Sequence, residues 1–147
     1  MKPIPLGAIL SLAMLTIGAF THRTVGAEAA APAPRQELAA GNIGHGEYLV
    51  VHVAMCIECH SPRDANGDIL RGSEFLGAPL PIKTPADWAT RAPRNRGLPG
   101  YTDAQALRLL TQGAIARDGR QLEPPMPRFR MTPQDAADVI AFLRSLP

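Results

Sequence analysis

Aromatic side chains are scarce in this sequence: one tryptophan, two tyrosines and four phenylalanines, 5% of 147 residues. A domain so poor in rings calls for another source of apolar bulk at its centre. Strand-like alternation of apolar and polar residues is absent throughout, which argues against a sheet. Charge is also in short supply, with a formal net value of only +2. That argues against nucleic-acid binding, which usually demands a strongly basic face. There are just two cysteines. Proline and glycine, in contrast, are plentiful at 15 and 13, and imply long irregular loops between few helices.

The N-terminus opens with Lys2, then an uncharged, mostly apolar run from Ile4 to Phe20, then the small residues Val25-Gly26-Ala27. Residues 1–27 read as a secretory signal. The rival is an uncleaved anchor, for which the apolar run is at the short edge of what spans a bilayer. Both readings put the folded part outside the cytoplasm. No cysteine lies nearby, so a lipid-modified cysteine is excluded. Residues 28–40, EAAAPAPRQELAA, read as an Ala/Pro-rich spacer. The domain proper is expected over 41–147.

Three helices are predicted within it. In MTPQDAADVIAFLRSLP, Thr132 is the N-cap, Pro133 the first helical residue and Asp135 the partner of the cap. Ala136, Val139, Ile140, Leu143 and Leu146 then share a face. In YTDAQALRLLTQG, Thr102 caps, Gln105 sits three residues on, Leu107 and Leu110 share a face, and Gly113 ends the helix. In GHGEYLVVHVAMC, Leu49, Val50, Val53 and Ala54 form a stripe leading to Cys56. From Ser61 to Gly100 the chain reads as loop.

Cys56, Cys59 and His60 match C-x-x-C-H, the attachment motif for c-type haem. Two thiols spaced i, i+3 can bond the two vinyl groups along one porphyrin edge. The next imidazole then serves as the proximal iron ligand. A thioredoxin-like redox pair would want a βαβ context, and a zinc site would want a second pair of ligands. A disulfide across so short a loop would stabilise little. The expectation is therefore one covalently attached haem c, supplying the missing bulk.

For the sixth iron position, Met126 in EPPMPRF is the candidate, a soft thioether between Pro125 and Pro127 in extended backbone. Met131, at the mouth of the last helix, is expected to pack beneath it. Met55 adjoins Cys56 and cannot reach the far haem face. His45 and His52 are weaker alternatives that precede the attachment site on its own helix.

These residues resemble class I c-type cytochromes over Gly41 to Pro147. The likeness rests on CIECH, on PPMP ahead of an amphipathic last helix, and on GEYL in the first helix. GEYLVVHVAMCIECHSPRD and MPRFRMTPQDAADVIAFLRSL are most similar to a haem domain of the cytochrome subunits of bacterial membrane-bound alcohol and gluconate dehydrogenases. Those subunits carry three haem domains where this chain has one motif. The resemblance implies an all-α fold of three main helices and long loops around one haem. It implies that the first and last helices cross, with Gly46 or Tyr48 meeting Phe142 and Leu143. It also implies a proline carbonyl that orients the proximal imidazole, for which Pro79 is the candidate.

With histidine and methionine both on the iron, no position is open to substrate. The expected function is one-electron transfer at a fairly high potential, not catalysis. The alternatives are a haem subunit fixed in a larger membrane complex and a catalytic or gas-binding haem with a labile distal ligand. Between Pro81 and Arg130, Lys83, Arg91, Arg94, Arg96, Arg108, Arg117, Arg120, Arg128 and Arg130 outnumber Asp87, Asp103, Asp118 and Glu123. Gly41 to Leu80 runs the other way. The polarity suggests a redox partner with an acidic docking face.

Overall fold

A computed structural model describes residues 40–147. The signal-or-anchor segment and all of the spacer except Ala40 lie outside the described residues.

Helix α4, Pro133–Ser145, is built as its sequence predicts. Thr132 Oγ1 accepts the Asp135 amide at 3.1 Å, and Pro133 sits where a missing N–H costs nothing. Ala136, Val139, Ile140 and Leu143 are buried, and Leu146 packs partly buried beyond the helix end. Helix α3, Asp103–Thr111, starts with a reciprocal capping box between Thr102 and Gln105 and has Gln112, the residue before Gly113, as its C-cap. Its buried residues are Ala106 and Leu110, with Leu107 only partly covered.

The first predicted helix is divided. Helix α1 covers Ile43–Tyr48, a π-helical stretch follows over Leu49–Val53, and Met55 takes a left-handed conformation (φ 51°) before α2, Cys56–His60. The Ala54 amide reaches back five residues to the Leu49 carbonyl at 2.7 Å. Those wider turns shift the phase of the stripe. Val50 is fully buried, whereas Val53 is 56% exposed.

The long loop holds a two-stranded antiparallel ladder, β1 Ala78–Pro79 and β2 Arg91–Ala92, with Ala78 opposite Ala92. Two residues are too few for alternation to show in sequence. The architecture is otherwise the expected all-α one, with four α-helices among the described residues in place of three. Among the described residues no helix is long and apolar enough to cross a membrane.

Helices α1 and α4 cross at Gly46. A Cβ there would collide with the Asp138 carbonyl and lie 2.9 Å from Phe142 Cβ. Gly46, not Tyr48, is therefore the crossing residue; Tyr48 is 54% exposed and sits between the rings of His45 and His52. Asp138, only 4% exposed, secures the crossing. It accepts the Asn42 amide at 2.8 Å, Gln134 Nε2 at 2.9 Å and His45 Nδ1 at 2.7 Å. Arg144 ties the far end of α4 to the 97–103 turn, donating to the Gly97, Leu98 and Tyr101 carbonyls and to Asp103.

Gly46→Ala should lower unfolding stability by about 2 kcal/mol or more, because backbone rather than a flexible side chain blocks the added methyl. Gly44→Ala, where a Cβ meets only Asn42 Oδ1 at 3.6 Å, should instead raise it by roughly 0.5–1 kcal/mol. Denaturant midpoints of the two variants check this. Equal effects would mean that the helices are not in close contact at Gly46.

Candidate functional site

A cavity of about 430 Å³ lies between the helices and the long loops. That is within the usual range for small-molecule and cofactor sites. Its walls are mostly apolar, drawn from α3 and α4 (Ala106, Leu109, Leu110, Val139, Leu143) and from loop residues such as Leu98, Leu122 and Phe129.

Helix α2 presents Cys56, Cys59 and His60 on one side of this cavity. Both cysteines are free thiols. Burial pushes the Cys56 thiol up to about 11; its own backbone hydrogen bond opposes this and the nearby Cys59 reinforces it. A raised thiol is the reverse of what a dithiol redox centre or a thiolate metal site needs.

His60 is 8% exposed, and its Nδ1 lies 2.7 Å from the Pro93 carbonyl oxygen. A carbonyl can only accept, so the ring proton is on Nδ1 and the Nε2 lone pair is free for a metal. Burial lowers the His60 pKa and the Pro93 hydrogen bond pulls it back up, so the neutral form that ligates is favoured.

The orienting carbonyl corrects the sequence expectation. Pro79 does not fill this role: it is exposed and pairs with Arg91 in the ladder. The Ala78–Ala92 register places Pro93, the residue after β2, against α2. Gly77 allows this approach. It has φ 82°, and a Cβ there would lie 2.6–2.9 Å from the backbone of Ala92, Pro93 and Arg94. Nothing in the local sequence marks Pro93, because its contact spans 33 residues.

Met126 lines the same cavity as His60 and is partly buried. The backbone turns at Pro124–Met126 instead of running extended. Met131 packs against the apolar core and is not part of the lining. His45 and His52 are exposed and also lie off the cavity, whereas Met55 borders it beside Cys56. Arg91, Arg94 and Arg120 are among the lining residues. Asn95 lines it too, and its buried Oδ1 has no partner among the described residues.

These residues fit a haem. The apolar walls suit the porphyrin faces, two free thiols stand beside a free imidazole nitrogen, and a thioether shares the cavity. Arg91, Arg94 and Arg120 would meet the propionates, and Asn95 offers an unsatisfied amide. When bound, haem supplies an iron that takes up and gives back one electron.

Residues 49–147 match the family described as Cytochrome c. No curated protein matches the chain. The matched region contains the two thiols, His60, Pro93, Met126 and both long helices, more than half of the sequence. The chain therefore belongs to the cytochrome c family, whose domains hold haem c covalently and transfer electrons through its iron.

Proposed function

We propose that this protein is a single-haem electron carrier, with Cys56 and Cys59 as the attachment thiols and His60 and Met126 as the axial iron ligands. The observation that carries the reading is one apolar cavity lined by both a free imidazole Nε2 and a methionine thioether. Two protein ligands would leave the iron no position for a substrate, so the protein carries electrons and is not an enzyme. His/Met ligation favours a relatively high potential. The N-terminal segment supports export across the cytoplasmic membrane, with the folded domain in the periplasm either free or tethered.

The partner we propose is a redox protein with an acidic face. Of the basic residues between Pro81 and Arg130, Arg96 is paired with Glu74 and Arg120 with Asp118. Among the described residues, Arg108, Arg117, Arg128 and Arg130 have no carboxylate within 4.0 Å. Arg128 and Arg130 come together beside Gly113 at the end of α3. They follow Met126 by two and four residues and alternate with Pro127 and Phe129, which line the cavity. Charge at such a place speeds encounter more than it tightens binding.

The exported protein should carry one haem that stays with the polypeptide through acid–acetone extraction, as mass spectrometry would register. Haem that extracts freely would refute attachment through Cys56 and Cys59.

Met126→Ala should abolish the weak near-infrared sulfur-to-iron band of ferric His/Met haem, lower the potential and open the iron to carbon monoxide. If Met131→Ala does this and Met126→Ala does not, the ligand assignment is wrong.

Electron transfer to the physiological partner should slow steeply as the Debye length shrinks from about 30 Å at 0.01 M salt to about 8 Å at 0.15 M. Arg128→Glu with Arg130→Glu should slow the reaction at low salt, flatten that dependence and leave the visible spectrum unchanged. A wild-type rate indifferent to ionic strength would sink the docking proposal.

A further inference from the structure

Away from the cavity, α1 and α4 bring three metal-ligating side chains together. His45, Asp135 and Asp138 each offer one ligand atom within 4.8 Å of the other two. The imidazole comes from one helix and both carboxylates from another, one turn apart, so the trio exists only in the folded chain. Each carboxylate is also oriented by groups outside the trio. Asp138 Oδ1 accepts the Asn42 amide and Gln134 Nε2, which leaves Oδ2 toward His45. Asp135 Oδ2 accepts Thr132 Oγ1 at 2.8 Å, which leaves Oδ1. Ligands held by donors behind them are characteristic of metal sites.

We propose that His45, Asp135 and Asp138 form a binding site for a divalent transition-metal ion, with Zn²⁺ the best match. One imidazole and two carboxylates suit zinc, whose three-ligand sites complete their tetrahedron with water. Calcium wants six to eight oxygens, and magnesium an octahedron of oxygens. Zinc bonds of about 2.0–2.2 Å set ligand atoms roughly 3.3 Å apart. The 2.7 Å His45–Asp138 contact must therefore widen slightly while Asp135 closes in. His45 is exposed and Asp135 only partly buried, so both can move. The ion takes the place of the proton now shared between His45 Nδ1 and Asp138. The neutral ring then carries its one proton on Nε2, reached through solvent, and Nδ1 presents its lone pair to the ion. The bound ion would clamp the helix crossing and stabilise the folded state by mass action. The site lies apart from the haem cavity and does not rest on the electron-transfer reading.

The test is calorimetric titration of chelator-treated, haem-loaded protein with ZnCl₂, with thermal unfolding followed in parallel. Haem loading keeps Cys56 and Cys59 out of the titration. The expected result is one ion per chain and an unfolding midpoint that rises to saturation. Asp135→Asn and His45→Gln should each weaken binding by more than about tenfold, and Gln134→Ala by about tenfold through the orientation of Asp138. The haem spectrum should stay unchanged in all three. Each variant is compared with its own metal-free baseline, and Asp135→Asn decides alone if His45→Gln does not fold. Absence of saturable binding, or binding undiminished in Asp135→Asn, would overturn the proposal.

Discussion

The close approach of α1 and α4 is the constraint on which the rest of the domain depends. Backbone meets backbone there: Gly46 lies on the Asp138 carbonyl, and Gly41, just ahead of α1, packs on the Ala137 carbonyl and the Ala141 methyl. At this separation no side chain fits between the helices, so Asp138 turns its carboxylate toward Asn42, His45 and Gln134. A nearly buried anion is tolerable only when its oxygens are satisfied. The Asn42 amide, ahead of the His45 contact, holds the Asp138 pKa below the usual carboxylate value. The same crossing fixes where Val50 enters the core and where α2 begins. It also aims Val139 and Leu143 of α4 into the cavity.

That cavity explains how a ring-poor sequence makes a domain. The buried core is small: one valine from the first helical segment, two phenylalanines in edge-to-face contact at 5.9 Å, and mainly alanine and leucine from α3 and α4. Val139, Leu143, Leu110 and Ala106 belong both to this core and to the cavity wall. The apolar surface that would stabilise the fold therefore faces a hollow. A flat apolar cofactor covalently tied to α2 would cover it, and the chain would then bury its interior as fully as a ring-rich sequence does. Folding and cofactor retention are in this sense one problem.

Much of this was legible in the sequence where the cause is local. The caps at Thr102 and Thr132 need only neighbours three residues away, and both formed as read. The C-x-x-C-H spacing is local too, and its residues do face one cavity. Where the cause is distant or the period irregular, the reading failed. Val53 was placed on the buried stripe by a 3.6-residue period, but the π-helical stretch carries it outward. Choosing between Gly46 and Tyr48 at the crossing required the partner helix. Pro79 and Pro93 each follow an alanine in a Pro-rich loop, and only the register of a two-residue ladder, which pairs Pro79 with Arg91 and leaves Pro93 beyond it, separates them.

The ladder also bears on how the site can be stiff. Helix α2 has five residues, too few to be stable on propagation energy alone. An imidazole cannot be held in a fixed orientation by such a helix without outside support. His60 receives that support at both ends from neighbouring parts of the long loop. Its carbonyl accepts the Gly77 amide at 2.7 Å, and its Nδ1 donates to the Pro93 carbonyl at 2.7 Å. Gly77 and Pro93 flank the paired residues Ala78 and Ala92, so one short ladder sets both contacts at once. The next residue extends the brace, since Ser61 Oγ accepts the amide of buried Phe75 at 3.1 Å. Phe75 in turn packs on Phe142 of α4. The stretch that reads as featureless loop is thus the frame that aims the imidazole, and it connects that imidazole to the helix crossing.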